Sequence, residues 1–577
     1  MGRRMLDKPA VARALREIGA LLEVKGENPF KVRAYATGAL ALEEAVSDLP
    51  RLVAEDRLTE LRGIGQALAK KIKDLHVTGH TELLDRLHSE LPAGILELLE
   101  LPDLGPRKVA MLHAELKVGS IADLEAVCRK GLVRHVRGFG PKTEQRILEA
   151  LTRRERRQAR LLLPDALEVG RALVAHIGQD CAERLELAGS ARRGEEVVER
   201  LDLVASTRRP AELSARFLSW RPGAEVLGQG ESGLRLRLEG GIEVALRGVP
   251  PAEYVGALHF ATGSVAHRLK LGELAREEGY HLTPSGLTRI DTGESIHLDA
   301  EEDLYARLSL PFIPPELRED AGEIEAARAG TLPRDLVELK DVRGFVHCHT
   351  RWSDGRSTLE EMALAADALG ADYLTVTDHS PSAGYAGGLS IDRLKAQWEE
   401  IARVQEKVRV RLLRGTESDI TEEGVLDYPD AVLEALDVVV ASVHSRHHMG
   451  EEEMTRRLVR AMRLPIFKIW GHPRGRLLLE RDPFACRMEE VLDALASSKG
   501  AVEVNGDPKR LELDPVGLRL ARERGIPIVL SVDAHSRSAL GYLRFAVATA
   551  RRGWVRRGEV LNTLSHEQFR QAVRPAS

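Results

Sequence analysis

The sequence predicts a multidomain chain in which α+β regions precede a C-terminal α/β barrel. Its 577 residues are too many for one hydrophobic core. The first 160 residues contain amphipathic helical stretches that short glycine turns separate. Beyond residue 341, short apolar runs alternate with helical stretches, which is the pattern of parallel βα units.

The composition excludes several classes of protein. A hydrophobic content of 43% and a charged content of 30% are ordinary for a globular chain, and no apolar run is long enough to cross a bilayer. The net charge is −5, so a surface that binds nucleic acid must be local. Four scattered cysteines without a Cys-x-x-Cys pair indicate a reducing compartment. With no signal peptide in the sequence, we expect a cytoplasmic protein.

Short glycine turns before helices recur in the N-terminal region. A Gly-apolar-Gly turn allows a tight bend, and the exposed N–H groups of the following helix can bind a phosphate. Three such turns lie about forty residues apart, and their glycines are Gly63, Gly65, Gly105, Gly138 and Gly140. Asp103 replaces the first glycine of the second turn. The pattern predicts helix-hairpin-helix contacts to the DNA backbone; the alternative is glycine-punctuated helix packing.

The C-terminal region begins with a His-x-His pair. In an extended strand from Val346 to Thr350, His347 and His349 share one face and Cys348 points away. Asp354 follows in a glycine turn. Two imidazoles followed by a carboxylate can begin a metal site, although His-x-His alone is weak evidence.

Further histidines and carboxylates follow the later apolar runs. They are His379, Glu417, His444, His472, Asp533 and His535. Because functional groups of a (β/α) barrel lie at the C-terminal ends of its strands, these side chains predict one shared site. The alternative is a set of unrelated buried histidines that each bond a backbone carbonyl.

This region resembles the PHP (polymerase and histidinol phosphatase) family. The resemblance implies a distorted seven-stranded (β/α) barrel that hydrolyses phosphoesters with a trinuclear metal centre. It assigns His347, His349, Glu417 and Asp533 to one metal, Glu417, His444 and His472 to the second, and Asp354, His379 and His535 to the third. Mixed imidazole and carboxylate ligands suit Mn, Zn or Fe.

The middle of the chain resembles the family X DNA polymerases. Gly189-Ser190 followed by Arg192-Arg193 resembles the motif that binds the nucleotide triphosphate, and Thr262-Gly263-Ser264 resembles a later motif of the same family. The resemblance therefore implies nucleotide-binding roles for Gly189, Ser190, Arg193, Thr262, Gly263 and Ser264.

From about residue 8 onward, the whole chain is similar to the bacterial DNA polymerase X family. The resemblance implies six segments. They are a lyase-like helical domain with a helix-hairpin-helix (1–88), helix-hairpin-helix fingers (89–160), a nucleotidyltransferase palm (161–250), a thumb (251–320), a linker (321–340) and the PHP domain (341–577).

Two catalytic positions follow from this resemblance. Lys71 occupies the position of a Schiff-base lysine that could attack an abasic sugar; the alternative is a surface lysine on a phosphate-binding helix. Asp202 is the retained carboxylate of the palm. Arg200 stands where the family has a second Asp, and Ala245 stands where it has a third carboxylate, which Glu243 could replace only from a displaced position. These departures place Mg or Mn binding at the palm in doubt.

The sequence thus predicts a DNA-binding, metal-dependent phosphoesterase that acts in DNA repair as a 3′-5′ exonuclease, with cleavage at abasic sites as a further reaction. The partner is gapped, nicked or 3′-ended DNA, and the retained Gly189-Ser190 allows a dNTP. We expect a monomer and no membrane association. Two alternatives stay open: a gap-filling polymerase with an unusual metal site, and a DNA-binding scaffold with structural metals.

Overall fold

The computed structural model describes residues 8–44, 49–61, 63–99, 101, 104–158, 160–221, 223–230 and 233–575. The chain divides into two compact units, residues 1–157 and 158–577. Asp103 lies outside the described residues, so the second glycine turn is described without it.

The first unit is helical in its described parts. Val11, Leu15, Ile18 and Leu22 are buried at helical spacing, as the sequence predicts. The helices are α1 (Lys8–Val24), α2 (Pro29–Glu44), α3 (Leu49–Ala54), α4 (Gln66–Thr78), α5 (Glu82–Glu90), α6 (Ile95–Leu99), α7 (Pro106–Leu116), α8 (Ile121–Arg129) and α9 (Pro141–Gln158).

The second unit starts with a mixed sheet flanked by helices. Its elements are β1 (Leu161–Leu162), α10 (Leu163–Ile177), β2 (Arg184–Leu187), α11 (Gly189–Arg193), β3 (Val197–Val198), β4 (Arg200–Ser206), α12 (Pro210–Leu218), β5 (Glu225–Gly230), β6 (Gly233–Arg237) and β7 (Glu243–Val249). The strand order is β2-β4-β7-β6-β5, and only the central pair β4–β7 is parallel. This sheet is the predicted palm.

A small α+β layer follows the palm sheet. It contains α13 (Tyr254–Thr262), α14 (Val265–Glu277), β8 (Tyr280–Thr283), β9 (Gly286–Arg289), α15 (Glu301–Arg307) and α16 (Glu323–Arg328). Its apolar core joins Leu258, Leu271 and Tyr305 to Ala188 and Val204 of the palm. This layer corresponds to the predicted thumb.

The C-terminal region alternates strands and helices throughout. Its elements are β10 (Gly344–Cys348), α17 (Leu359–Ala368), β11 (Tyr373–Val376), α18 (Ile391–Gln405), β12 (Arg411–Asp419), α19 (Asp430–Leu433), β13 (Val438–Ser442), α20 (Glu451–Met462), β14 (Lys468–Trp470), α21 (Met488–Ala496), β15 (Gly500–Asn505), α22 (Pro515–Glu523), β16 (Ile528–Ser531), α23 (Leu543–Arg552) and α24 (His566–Val573).

Seven parallel strands, β10 to β16 in sequence order, form a nearly closed barrel. Backbone bonds join its two edges, since Ala534 N donates to His347 O at 3.0 Å and His349 N donates to Ala534 O at 2.9 Å. The predicted fold class, with a distorted seven-stranded barrel after helical and α+β regions, is therefore confirmed.

Alternating residues of the barrel strands form two separate apolar layers. Val346, Val440 and Ile469 belong to the inner layer, which α24 closes with Phe569, whose ring lies 4.7 Å from Tyr373. The remaining strand residues pack outward against the helices. Since apolar side chains fill the N-terminal end of the barrel, the polar residues of the strands are confined to its C-terminal end.

The palm sheet packs directly on the barrel. Leu511 and Phe545 of the barrel belong to the apolar cluster of the palm. Glu196 of the palm pairs with Arg476 and Arg552 of the barrel, each at 3.4 Å. No helix in the described part of the chain is long and apolar enough to cross a membrane.

Candidate metal centre

All nine residues of the predicted ligand set lie together at the C-terminal end of the barrel strands. One carboxylate is at the middle of the set. Glu417 Oε1 lies 2.7 Å from His472 Nε2, 3.1 Å from His444 Nε2 and 3.2 Å from His347 Nε2. Its Oε2 lies 3.0 Å from His379 Nδ1 and 3.5 Å from His349 Nε2. A carboxylate with imidazoles on both oxygens has the position of a bridging ligand.

Two further carboxylates extend the cluster on either side. Asp533 Oδ1 lies 3.3 Å from His349 Nε2 and 3.7 Å from His347 Nε2. Asp354 lies 3.4 Å from His535 Nε2 through Oδ1 and 3.6 Å from His379 Nε2 through Oδ2. All of these donors are imidazole nitrogen or carboxylate oxygen, which are common ligands of divalent transition metals.

Unsatisfied buried atoms test whether the residues fit a metal. Both ring nitrogens of His349, Nε2 of His347, Nδ1 of His379 and Oε2 of Glu417 are buried without a hydrogen-bond partner. Buried polar atoms are normally satisfied, so a cluster of unsatisfied ligand atoms needs a binding partner that is not part of the protein. The cluster therefore fits divalent metal ions.

The ligand atoms form four overlapping groups, each compact enough for one ion. They are His349–Asp354–His379–His535, His347–His349–Asp533, His347–Glu417–His472 and His379–Glu417–His444. These groups differ from the partition implied by the resemblance, because His444 and His472 fall in different groups. Both groups contain Glu417, which keeps its central place.

Three of the nine residues have a left-handed backbone. The φ angles are 65° at His347, 23° at His472 and 45° at Asp533. Non-glycine residues rarely adopt this region, and such strain tends to occur at functional sites. At His347 the left-handed backbone has a structural role. Val346 faces the barrel interior, so a regular strand would turn His347 outward.

The turn at His347 also corrects the predicted geometry of the first strand. The strand was expected to stay extended to Thr350, but β10 ends at Cys348, and its register with β11 shifts between Phe345 and Cys348. Cys348 does point away, into the outer apolar layer. His347 and His349 share the site because the strand is irregular.

Charge inside the cluster is balanced between carboxylates and imidazoles. Burial alone would raise the pKa of Glu417, but His444, His347 and His379 hold it well below its usual range. Burial lowers the pKa of His349 to about 3 and that of His472 to about 4. Those two rings are neutral at physiological pH, which is the state that binds a metal.

Other rings of the cluster hold a proton in the metal-free protein. Burial opposes the protonation of His379, but Glu417 and Asp354 raise its pKa to about 10. Burial also opposes the protonation of His535, whose pKa Asp354 and Asp533 raise to about 9. A bound cation would replace these protons, so metal binding and proton release are coupled.

Two carboxylates that the sequence prediction left without a role orient the rings. Glu503 Oε1 lies 2.6 Å from His347 Nδ1, and Asp419 Oδ1 lies 2.7 Å from His444 Nδ1. Carboxylates behind metal-ligating histidines fix the ring and its tautomer. The signal for Glu503 was its two-residue spacing from Ala501, which places both on the inner face of β15.

Arg510 is a further residue that sequence reasoning missed. Its Nε lies 3.1 Å from Asp533 Oδ2, and its Nη1 is buried without a hydrogen-bond partner. Tyr385 lies across the same site, with its ring 6.3 Å from His379 and 6.4 Å from His444 and with 74% of the residue exposed. No short spacing connects either residue to a ligand in the sequence.

In the palm, the retained carboxylate already has a cationic partner. Arg200 Nε lies 2.8 Å from Asp202 Oδ1. Ala245 is the register partner of Asp202 on β7, so the neighbouring strand offers no second carboxylate there. Glu243 shares that face but pairs with Arg237 at 3.1 Å. Burial raises the pKa of Asp202, although Arg200 opposes this effect.

The two arginines of the predicted nucleotide motif are bound to protein groups. Arg193 is buried, and it contacts Glu319 at 2.8 Å, the carbonyl of Thr262 at 2.7 Å and Glu195. Arg192 is held by Glu301 at 2.7 Å and by Thr262 Oγ1 at 2.9 Å. These contacts leave Arg193 little freedom to bind a phosphate.

The small residues of the two nucleotide motifs have defined local roles. Gly189 has φ 59°, and a methyl group there would meet Asp202 Oδ2 at 2.6 Å. Ser190 lies next to it in α11. Gly263 ends α13, and Ser264 caps α14 by accepting a bond from His267 N. The two motifs therefore meet through Thr262 and Arg193 rather than around an open pocket.

The described residues of the three glycine turns all lie directly in front of a helix. Gly63 and Gly138 have φ angles of 98° and 86°, which favour glycine. Gly65 and Gly105 stand at the N-caps of α4 and α7, and Gly140 directly precedes α9. A methyl group at any of these last three positions would meet nothing within 4 Å. The backbone in front of each helix is thus open to a ligand.

Lys71 lies one turn into α4, behind the first glycine turn. Its Nζ is exposed and lies 3.4 Å from Ala67 O. A Schiff-base role and a phosphate contact both fit this location.

Comparisons with known proteins define the class of the chain. Family models described as "Helix-hairpin-helix domain" and "SAM-like Helix-hairpin-helix tandem" match residues 7–81 and 95–153. "DNA polymerase beta thumb" matches residues 257–319, and "PHP domain" matches residues 346–506. The chain thus joins DNA-binding and polymerase-beta-type parts to a PHP domain.

The relatives identify the family. "DNA polymerase/3'-5' exonuclease PolX" of Bacillus subtilis (strain 168) is 34% identical over 564 residues, which cover 97% of this chain and 98% of that protein. The chain belongs to the bacterial PolX family, as the resemblance indicated. A "Probable phosphatase" of Caldicellulosiruptor bescii is 32% identical over 205 residues, which cover 34% of this chain and 80% of that protein.

Proposed function

We propose that the chain is a DNA-binding phosphoesterase that uses metals in its PHP domain to remove nucleotides from DNA 3′ ends during repair. The observation that carries this proposal is the cluster of unsatisfied imidazole nitrogens around Glu417. The name of the Bacillus subtilis relative, which includes a 3'-5' exonuclease, supports the direction of hydrolysis. Cleavage at abasic sites would be a second reaction of the same centre.

The nine residues of the cluster would hold the metals, and Glu417 would contribute from the middle of the set. Their mixture of imidazole and carboxylate suits Mn, Zn or Fe. When bound, such cations lower the pKa of water and neutralise charge on a phosphate. Glu503 and Asp419 keep His347 and His444 in the orientation that leaves Nε2 toward Glu417.

Arg510 would bind the phosphate group that is attacked. Its Nε pairs with Asp533, so the guanidinium is fixed at the edge of the cluster. Its buried Nη1 lies 3.7 Å from Glu512 Oε1 and makes no hydrogen bond to a described residue, so a phosphate oxygen within hydrogen-bond distance would be a stronger acceptor. The residue would hold the phosphate while charge develops on it.

Tyr385 supports a nucleotide substrate rather than a small ester. Ala383, Ala386 and Leu389 are buried and anchor the loop, so the loop presents the phenol ring outward beside the ligands. Exposed aromatic rings stack on bases without regard to sequence. A strand end that enters the centre would therefore meet Arg510 at its phosphate and Tyr385 at its base.

The glycine turns would position the enzyme on DNA. They offer backbone N–H groups to phosphates and make no contact that depends on sequence.

We also propose that the palm does not polymerise, because Arg200 forms an ion pair with Asp202 and Ala245 contributes no metal ligand. The two-metal chemistry of polymerisation needs several carboxylates.

One experiment separates this function from its alternatives. The full chain, loaded with Mn²⁺, is incubated with a labelled gapped duplex, with and without dNTPs, and with a duplex that contains an abasic site. Its bound metals are also measured. We expect shortening from the 3′ end that Asp533→Asn abolishes. Lengthening that depends on dNTPs would favour the polymerase, and bound metal without any change in the DNA would favour the scaffold.

A further inference from the structure

One face of the palm sheet carries an excess of positive charge. Residues paired across neighbouring strands share a face. Asp202 of β4 pairs with Ala245 of β7, which pairs with Arg235 of β6. Arg200 and Arg247 lie two residues along β4 and β7, so they share this face too.

A thumb helix adds another cation to this face. Arg268 of α14 is close enough to Asp202 that each affects the pKa of the other. Its guanidinium lies 4.5 Å from the ring centre of Phe260, which holds it in place. We call Arg200, Arg235, Arg247 and Arg268 together the arginine face.

The carboxylates on this face do not balance its cations. Asp202 pairs with Arg200 at 2.8 Å, and Glu243 pairs with Arg237 at 3.1 Å. The register also places Glu186 and Glu225 on this face, but they pair with Arg184 at 3.6 Å and with Arg237 at 2.9 Å. Among the residues that the structure describes, Arg235, Arg247 and Arg268 have no carboxylate within ion-pair distance. The described residues of this part of the palm therefore have more cationic than anionic groups, although the chain as a whole has a net charge of −5.

Two of these arginines have a buried N–H group without a hydrogen-bond acceptor among the described residues. Nε of Arg247 and Nε of Arg268 are inaccessible to solvent and have no hydrogen-bond partner among the described residues. An arginine that is simply solvated keeps its N–H groups in water, so these atoms are not explained by an exposed surface. Burial and the neighbouring Arg193 and Arg200 lower the pKa of Arg268. A bound anion would relieve the repulsion between these arginines.

We propose that the arginine face is a phosphate-binding site that works without a divalent metal. Arg200 replaces a metal as the positive partner of Asp202, and the small side chain of Ala245 leaves space beside it. Phosphate oxygens then accept from the buried Nε atoms of Arg247 and Arg268. The phosphate comes from a nucleotide or from a DNA strand, since both present the same chemistry.

This site is separate from the PHP centre and does not depend on the proposed hydrolysis. Arg192 and Arg193 take no part in it, because protein carboxylates already hold both. The role of such a site is to retain a phosphorylated end or a nucleotide without reacting with it.

The test measures phosphate binding by the full chain in EDTA, which removes the metals of the PHP centre. Tripolyphosphate binding is followed by titration calorimetry, and dATP and a gapped duplex with or without a 5′ phosphate serve as competitors. We expect metal-free binding that Arg247→Ala and Arg268→Ala each weaken by about 10-fold or more. Arg247→Lys should retain part of it, and Arg221→Ala, a change at an exposed arginine of the same domain, should have no effect.

The competitors identify the source of the phosphate. Competition by dATP indicates a nucleotide, and stronger competition by the 5′-phosphorylated duplex indicates a strand end. Arg200→Asp combined with Ala245→Asp should abolish metal-free binding and make any remaining binding depend on Mg²⁺. The proposal is wrong if the wild-type chain binds no tripolyphosphate in EDTA, or if the folded Arg247→Ala and Arg268→Ala variants bind it as well as the wild type.

Discussion

Replacement of Glu417 by glutamine should remove part of the metal from the PHP centre and stop hydrolysis. Glu417 is buried, and its two oxygens contact five imidazoles within 3.5 Å. The amide carries no charge, and one of its two ends must direct N–H groups at imidazole nitrogens. Two of the four groups that could hold an ion contain Glu417. We therefore expect partial rather than complete loss of bound metal.

The size of the effect follows from the position of Glu417. Removal of a residue that only orients a metal ligand costs about 10–100-fold in affinity or activity. Glu417 contacts the ligand rings themselves, so the loss should exceed that range. In the metal-free protein, Glu417→Gln also removes one of the two carboxylate partners of protonated His379; complete loss of a buried partner costs about 3–5 kcal/mol, and Asp354 keeps the cost here below that range. The cost falls once the ring releases its proton, so measurements at pH 8 keep the variant folded.

The assay combines bound metal per chain, measured by mass spectrometry after gel filtration, with thermal melting and 3′-end hydrolysis. Glu434→Gln, which makes the same chemical change at an exposed residue of the same barrel, is the control. Wild-type metal content and wild-type hydrolysis in Glu417→Gln would refute the central role of this carboxylate.

Three other predictions test separate parts of the chain. Gly140→Ala should leave the melting temperature unchanged, since a methyl group there meets nothing within 4 Å, but should weaken binding to gapped DNA in a salt-dependent titration; binding equal to wild type would exclude this turn from the DNA contact. Asp419→Asn should lower hydrolysis by about 10–100-fold, less than Glu417→Gln does, because Asp419 acts through His444; equal losses would contradict that order. Burial and Arg318 hold the pKa of His259 well below 6.5, so the unfolded chain binds its proton first, and stability should fall as the pH drops below about 6.5 by up to ~1.4 kcal/mol per pH unit. The free energy of unfolding of His259→Gln, measured at pH 5.5 and 7, should depend on pH less steeply than that of the wild type, by the uptake of one proton. An unchanged pH dependence would exclude His259 as its source.

The sequence was sufficient for the fold class because its strongest patterns were local. Alternation of apolar runs and helices predicted the barrel, and the four-residue spacing from Val11 to Leu15 predicted a buried helical face. The clustering of Glu417 with distant histidines followed from one rule, that parallel strands end on the same side.

What the sequence could not give depends on contacts between distant residues. Regular alternation would have sent His347 out of the barrel, and only its left-handed backbone turns the ring inward. Asp419 supports His444 across two strands. Arg193 was expected to be open to a phosphate, but Glu319, more than a hundred residues later, already binds it. Such pairings are set by tertiary packing, which no short spacing records.

The metal-ligand cluster of the PHP barrel and the Asp202 site of the palm sheet differ in one respect, namely whether the protein balances its own charges. At the barrel, Glu417 is surrounded by imidazoles, and several of their buried nitrogens have no hydrogen-bond partner among the described residues, so the site fits bound cations. At the palm, Asp202 lies against Gly189 and is half-buried, and an unpaired carboxylate there would be costly. Arg200 supplies that charge from the same strand, so the palm sheet keeps its carboxylate without a metal. We therefore predict that the barrel centre needs metals and that the palm sheet does not, and that the surplus arginines of the palm favour a phosphate instead.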